Sequence, residues 1–397
     1  MSFSFIIAKR YFFSKSTKTV VNRINVFSLI VLIICSTSLL IVLSAFDGLK
    51  DFGLSFYKKF DPDFQILPSS GKTLFINSDN WEQFISHPMI DSATRVIEEK
   101  VFVSLKEKNQ AALIRGVYPD YTSVNSVDNL IAIGDWIDFD ANSVVLGYEL
   151  ASSLNAGVYD YSSYLELSVP KNTPIRFGDS PFVSKPAFVS GLYQISEDID
   201  KKYLFSSISF AKSLLNFSND SYSYIAINTN ENFSEPAFLN YLKSIFDDDV
   251  ILQSREQKNS AIYKMIKIEN LAIYLIFTLV VIIGMFNIIG ALIMMKVDKS
   301  SQINLFYSLG ASPKSIERIF FLVGLFISFS GAIIGTILGV CLVLVQDYNP
   351  FIFVPGTDLA YPVSLLFKNI CIVISTVLFL GAITSAWATR GIAKSIP

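Results

Sequence analysis

His87 is the sole histidine of the chain, and it lies in the polar turn Ser86-His87-Pro88. A single imidazole in such a turn is far more often a surface residue than a base or a metal ligand. Cys35, Cys341 and Cys371 all fall inside long apolar runs, so no Cys/His metal spacing arises. Serine, histidine and aspartate form no convincing nucleophilic set either. Ser70-Gly71-Lys72-Thr73 ends like a phosphate-binding loop, but Ile66 stands where that motif needs its first glycine. The expectation is a chain that is not an enzyme, holds no metal or cofactor, and binds no nucleic acid. If it moves cargo, a separate ATPase must drive it.

The elements that carry these residues are set by hydropathy. Of 397 residues 51% are hydrophobic and only 17% charged, against roughly 25% charged in soluble proteins. Four stretches hold no Asp, Glu, Lys or Arg: 24–46, 270–295, 319–346 and 369–389. About 20 residues of helix cross a hydrocarbon core, so each stretch suffices for one span. The first stretch exceeds a signal-peptide core and no Ala-x-Ala-like site follows it, so it is expected to stay as an anchor. With no intramembrane charge, an ion-coupled carrier is disfavoured.

Charge orients the spans. Lys9, Arg10, Lys15, Lys18 and Arg23 precede the first span with no acid among them. The 296–318 loop carries four cations against two acids, and Arg390 and Lys394 lie in the tail. The positive-inside rule therefore predicts that both termini are cytoplasmic. The expected organisation is a cytoplasmic segment 1–25, a first transmembrane helix 26–46 and an extracytoplasmic domain 47–267. It continues with a second helix 268–295, a cytoplasmic loop 296–318 and a third helix 319–346. A short outer loop 347–367, a fourth helix 368–389 and a cytoplasmic tail 390–397 complete it. The outer domain has no cysteine, so its roughly 220 residues must be stable through their own core.

Within that domain, alternating runs at 111–117, 164–169 and 187–193 predict strands. Helical periodicity appears at 81–84, 145–154, 208–215 and 235–246, the last with Ser234 as N-cap and Pro236 in its first turn. Interleaved strands and helices predict an α+β domain. Lys258–Glu269 holds no Pro or Gly, which predicts a continuous helix into the second span. In the cytoplasmic loop, Ser300–Leu309 reads as a short helix closed by Gly310, and Ser312-Pro313 starts the next one. This helix either lies on the lipid surface or offers its Phe and Leu residues to a partner. Gly331, Gly335 and Gly339 form a stripe that serves either packing within the subunit or a dimer seam.

The order of one span, a large outer domain and three spans resembles the FtsX/MacB-type permeases of ABC systems. Phe286–Met295, Ile303–Ser312, Ala45–Leu49 and Tyr361–Val363 resemble pieces of the LolC/LolE family of lipoprotein-releasing permeases, as do Ile114–Val117 and Gly147–Ala151. The resemblance implies an α-helical membrane protein with four transmembrane helices and a MacB-like periplasmic α+β domain between the first two. It implies two permease subunits, alike or related, on a cytoplasmic LolD-like ATPase. Ile303, Leu305, Phe306, Leu309 and Gly310 would belong to the coupling element. Acylated lipoproteins would enter a cavity for which Phe27, Ile30, Ile34, Leu40, Phe277, Met285 and Ile288 are candidates. A hook between Val169 and Ala187, with Pro174, Arg176, Pro181 and Lys185, would recruit a LolA-like periplasmic carrier. Two other functions stay open: an FtsX-like mechanical transmitter acting on a periplasmic partner, and a MacB-like efflux permease. The latter normally has its ATPase fused at the amino end, and this chain begins about 25 residues before its first span.

Overall fold

In the computed structural model the described residues are 3–13, 19–160, 163–171, 180–218, 220–246, 250–355 and 358–390. In chain order the helices are α1 (Phe3–Phe13), α2 (Thr19–Phe60), α3 (Ser78–Ile85), α4 (Tyr121–Val124), α5 (Tyr148–Leu154), α6 (Glu197–Lys202) and α7 (Ile208–Leu215). They continue as α8 (Glu235–Ile245), α9 (Arg255–Lys258), α10 (Ser260–Asp298), α11 (Ser300–Ser308), α12 (Pro313–Tyr348) and α13 (Phe367–Thr389). The strands are β1 (Phe64–Pro68), β2 (Leu74–Phe75), β3 (Ile90–Leu105), β4 (Lys108–Val117), β5 (Ile131–Gly134) and β6 (Ser143–Gly147). After them come β7 (Leu165–Pro170), β8 (Phe182–Tyr193), β9 (Tyr203–Ser207), β10 (Ser221–Tyr222), β11 (Tyr224–Thr229) and β12 (Val250–Ser254). The chain divides into two units, residues 1–53 with 262–397 and residues 54–261.

The first unit is a helical bundle. Among the described residues, α2, α10, α12 and α13 are long and apolar enough to cross a membrane. In lipid, helices gain little from hydrophobic burial against one another, so close approach of small residues matters. The glycine stripe of α12 supplies it within this one chain. A Cβ built on Gly331 would lie 2.8 Å from Leu32 Cβ, and one on Gly335 would lie 1.8 Å from Ser36 Oγ. Ser36 Oγ donates to Gly331 O (3.0 Å) and Thr37 Oγ1 to Gly335 O (2.8 Å), so α2 and α12 are also hydrogen-bonded. The stripe therefore receives α2 of its own subunit. On the other side, Gly324 packs on Ser385 and Gly381 on Ser328, which joins α12 to α13 in the same way.

The ends of these helices follow ordinary capping. Ser312 Oγ accepts from Ser315 N ahead of α12, with Pro313 in the first turn. Gly310 takes φ +93°, a left-handed conformation that closes α11 at little cost for glycine.

The second unit is built on a mixed sheet of ten described strands in the order β12-β1-β11-β3-β4-β9-β6-β8-β5, with β7 pairing β3 and β8. β7 closes a ring of pairings through β3, β4, β9, β6 and β8, a small barrel. Its interior is aliphatic, with Val101, Val103, Ile114, Leu146, Leu167 and Leu204 buried. An interior of this kind is filled by alternate residues of each strand. The predicted strands at 111–117, 164–169 and 187–193 fall in β4, β7 and β8, and the predicted helices at 81–84, 208–215 and 235–246 fall in α3, α7 and α8.

Two expectations need correction. The helix predicted over 145–154 starts only at Tyr148, because Val144–Gly147 belong to β6, every residue of which is buried. A wholly buried strand lacks the alternation that would separate it from a helix. The helix expected to run unbroken from Lys258 is interrupted at Asn259. Ser254 and Gln257 form a capping box that starts α9 as a separate turn, and α10 begins at Ser260. Ser234 does stand at the N-cap of α8 with a proline in the first turn, but its side chain makes no capping bond.

Candidate functional site

α11 is a two-turn helix held on one side and open on the other. Ile303 is 6% exposed and belongs to the bundle core, whereas Leu305 and Leu309 are 57% and 77% exposed. Phe306 lies between these extremes, its ring meeting Phe3 edge-on with centroids 5.7 Å apart. Of the five coupling candidates, Leu305 and Leu309 thus present a surface, Ile303 and Phe306 seat the helix, and Gly310 turns the chain. Gly310 carries no Cβ neighbour within 4 Å, so its backbone angle rather than close packing is what calls for glycine.

α1 does the seating, and the sequence reading did not anticipate it. Tyr11 Oη donates to Gln302 Oε1 (2.8 Å) and Ser4 Oγ to Ser315 O (3.0 Å). Phe5 packs edge-on against Phe326, and Tyr11 against Phe320. The missed signal is the recurrence of Phe3, Ile7 and Tyr11 at every fourth position; Ile6 is exposed. Lys15 and Lys18, used in the charge argument, and Lys394 lie outside the described residues.

The cargo candidates separate into two groups. Phe27, Ile30 and Ile34 are exposed along one stripe of α2. Leu40, Met285 and Ile288 are buried in the bundle core and present no surface to a ligand. Phe277 is half-buried against that core. The reason is rotational: α10 turns Val281, Gly284, Met285 and Ile288 towards its neighbours, where Ser28 Oγ donates to Asn287 O (2.9 Å). Its opposite face exposes Leu275, Leu279, Ile283 and Phe286, and these are the better candidates.

Two short motifs noted separately in the sequence meet in the bundle. A Cβ on Gly48 would lie 2.4 Å from Val363 Cα and 2.5 Å from Pro362 O, so this contact requires glycine. Ser364 N donates to Ser44 O (2.9 Å), and Asn369 Nδ2 donates to buried Asp47 Oδ2 (2.8 Å). Ala45–Leu49 and Tyr361–Val363 are two sides of one joint.

A model of the MacB-like periplasmic core domain matches residues 26–245, and one of the FtsX-like permease C-terminal matches residues 259–397. Lipoprotein-releasing system transmembrane protein LolC of Buchnera aphidicola subsp. Schizaphis graminum is 26% identical over 64% of this chain and 63% of its own length. LolE of Haemophilus influenzae is 24% identical over 90% of this chain and 85% of its own, and LolC of Buchnera aphidicola subsp. Acyrthosiphon pisum 23% over 94% of each. The chain is a LolC/LolE-type permease of the FtsX/MacB superfamily. Among solved structures, the periplasmic region of MacB from Actinobacillus actinomycetemcomitans aligns with half of the chain and 92% of its own, at TM-score 0.37 and 13% identity.

In the MacB-like unit of this permease the least expected residue is Arg115. It is fully buried, yet it faces two carboxylates: its Nε donates to Glu98 Oε2 (2.7 Å) and its Nη2 to Asp61 Oδ1 (3.3 Å). Lys258 Nζ and Asn259 Nδ2 donate to the two oxygens of the same Asp61 (2.8 and 3.0 Å). The guanidinium lies 4.3 Å from the Phe60 ring centre and 4.2 Å from that of Tyr203. Burial alone would raise the Asp61 pKa, but Lys258 and Arg115 outweigh it and hold it at about 2. The residue just past α2, the α9–α10 junction and the central strands β3 and β4 thus share one charged node. The sequence pointed to Ile114–Val117 only as a resemblance, since a lone Arg in a strand gives no sign of its partners.

Of the four hook candidates, Pro181 and Lys185 lie at the β7–β8 pair. Pro174 and Arg176 lie outside the described residues. Pro181 O accepts from Lys171 N (2.9 Å) at the close of the strand pair. Lys185 and Pro186 stand within β8, opposite Leu167 and Glu166, and not in a loop as expected. Proline is tolerated there because β8 meets β6 only from Phe188 onward, leaving an open edge beside Pro186. Lys72 of the apparent phosphate loop is paired with Glu99 (3.2 Å), and His87 stacks on Tyr241 with ring centres 3.8 Å apart.

Proposed function

We propose that this chain is one permease subunit of an ABC-type complex that extracts acylated lipoproteins from the inner membrane and passes them to a periplasmic carrier. The alignment with a LolC over 94% of both chains carries this reading. In it, both termini and α11 are cytoplasmic, residues 54–261 are periplasmic, and a second permease subunit completes the complex. The exposed Leu305 and Leu309 enter a groove of a separate ATPase, while α1, Ile303 and Phe306 keep α11 from yielding under load. The exposed stripes of α2 and α10 meet the acyl chains. The Arg115 node ties the residue just past α2 to β3, β4 and the α9–α10 junction and so stiffens the periplasmic unit itself.

The test is release of a labelled lipoprotein from proteoliposomes holding this chain, its co-purifying ATPase and any partner permease, with ATP and carrier added. Leu305→Asp with Leu309→Asp is expected to abolish ATP-dependent release while the subunit still inserts, because a carboxylate cannot enter an apolar groove without a partner. ATP turnover that remains coupled with no lipoprotein leaving would turn the reading towards mechanical transmission.

Carrier recruitment is assigned to the segment that joins β7 to β8. Replacing residues 172–179 by a Gly/Ser linker of equal length is expected to remove carrier binding and leave ATP turnover unchanged. Undiminished carrier pull-down would sink that assignment.

A further inference from the structure

The bundle contains a cavity of about 350 Å³ between α2, α12 and the chain returning towards α13. Its origin is the glycine stripe. As far as Gly339, α12 lies against α2; beyond it Leu342, Val343 and Gln346 follow, and the gap that opens faces Ile41 and Ala45. Phe351, Ile352, Tyr361 and Val363 form the remaining wall.

The lining is carbon almost throughout, and its one buried polar side chain is saturated. Gln346 Nε2 donates to Ile352 O (2.8 Å) and Tyr361 O (3.2 Å). Its Oε1 accepts from Phe351 N (3.2 Å) and Ile352 N (3.0 Å). An amide has two donor hydrogens and two acceptor lone pairs, and all four are used. Gln346 therefore fixes the wall and has nothing left for a guest. The guest that fits is a hydrocarbon without hydrogen-bonding groups.

Size narrows the choice. A cavity of about 150 Å³ accommodates benzene, so this one holds roughly a dozen carbon atoms, far less than a helix about 10 Å across. Leu342, Phe351 and Ile352 are exposed at its rim. Asp347 is the first ionisable residue after the uncharged stretch of α12. The mouth thus stands at the boundary of the hydrocarbon layer, with apolar side chains turned towards it.

We propose that this cavity holds the end of one acyl chain of a bilayer phospholipid, which fills the gap between α2 and α12. The site is independent of the lipoprotein-releasing reading, and its test needs no ATPase, carrier or cargo. The full chain is placed in nanodiscs containing a phospholipid with a diazirine at the end of one acyl chain, irradiated, and the labelled residues are mapped by mass spectrometry. Label is expected on Ile41 and Val343 about tenfold above that on exposed Phe379 and Ile383 of α13, the equivalent of 1.4 kcal/mol of preference. Ala45→Phe, whose ring occupies the cavity, should lower pocket labelling by about the same factor and leave Phe379 labelled, which also reports an intact bundle. Val343→Phe repeats the test from the opposite wall. Pocket labelling no higher than at Phe379 and Ile383 overturns the proposal, as does labelling that both variants leave unchanged. Labelling by a diazirine-acylated lipoprotein but not by the phospholipid overturns it too, since the cavity would then be a cargo site.

Discussion

Arg115→Met is expected to be the most destabilising single substitution in the MacB-like unit, lowering its stability by roughly 3–5 kcal/mol. The lost hydrogen bonds are the smaller part. Asp61 would stay buried with Lys258 and Asn259 as its remaining partners, and Glu98 would lose its 2.7 Å partner. A buried carboxylate whose partner is removed bears its desolvation cost without the compensating attraction. Thermal unfolding of the purified full chain should show the transition of the MacB-like unit falling by about 10 °C. Arg115→Lys keeps the charge but not the planar fork that bridges two carboxylates between Phe60 and Tyr203, so it should recover only part of the loss. Asp61→Asn combined with Arg115→Met should cost less than the sum of the two single changes. Strict additivity would mean that the pair is not coupled.

The same node sets an acid limit. The Asp61 pKa is depressed from 3.8 to about 2 in the folded state. Its contribution is therefore complete above the unfolded value and is lost as pH falls through the folded one. The transition of the MacB-like unit should decline between about pH 4 and pH 2, and the decline should be shallower in Asp61→Asn. An identical acid profile in the two proteins would remove Asp61 as the cause.

Gly335→Leu is expected to separate α2 from α12. A Cβ at Gly335 would lie 1.8 Å from Ser36 Oγ and 2.6 Å from Ile33 O. The hydroxyl can rotate away, but the carbonyl is backbone and cannot, so the helices must move apart. Overpacking of this kind typically costs about 1–3 kcal/mol. The expected cost here is at the upper end, because separation also breaks the bonds from Ser36 to Gly331 O and from Thr37 to Gly335 O. Cysteines placed at Ile41 and Val343, which face one another across the gap between the two helices, would report the separation directly as a loss of crosslinking. Gly290→Leu on α10, where an added Cβ meets nothing within 4 Å, is the matched control. Equal loss in both variants would mean that the stripe has no special role in packing.

Long-range order in one dimension was readable from the residues alone. Four uncharged stretches define helices of spanning length, because the constraint is local: backbone in lipid must satisfy its own hydrogen bonds. The strand at 164–169 was legible because it has one buried and one open face, whereas those at 111–117 and 187–193 alternate only at their starts and are buried throughout from 114 and 189 onward. Capping around Ser312-Pro313 and the turn at Gly310 were legible because their chemistry is confined to a few neighbouring residues. The grouping into a LolC/LolE-type permease was legible through the order of short motifs along the chain.

What only the tertiary structure decided is which face of each element meets which neighbour. Leu40, Met285 and Ile288 resemble Phe27, Ile30 and Ile34 in composition, and only the rotation of α2 and α10 places the first three in the core. β6 and β9 are buried on both faces, so they have no period to betray them. Asp61, Glu98, Arg115 and Lys258 are scattered over nearly 200 residues, and their pairing exists only once β3, β4 and the ends of two helices converge. The stripe of glycines could be read as a close-packing surface, but not for which partner. A sequence records that a residue is small, apolar or charged. Its partner is chosen by the fold, because the free energy of a contact belongs to two residues at once.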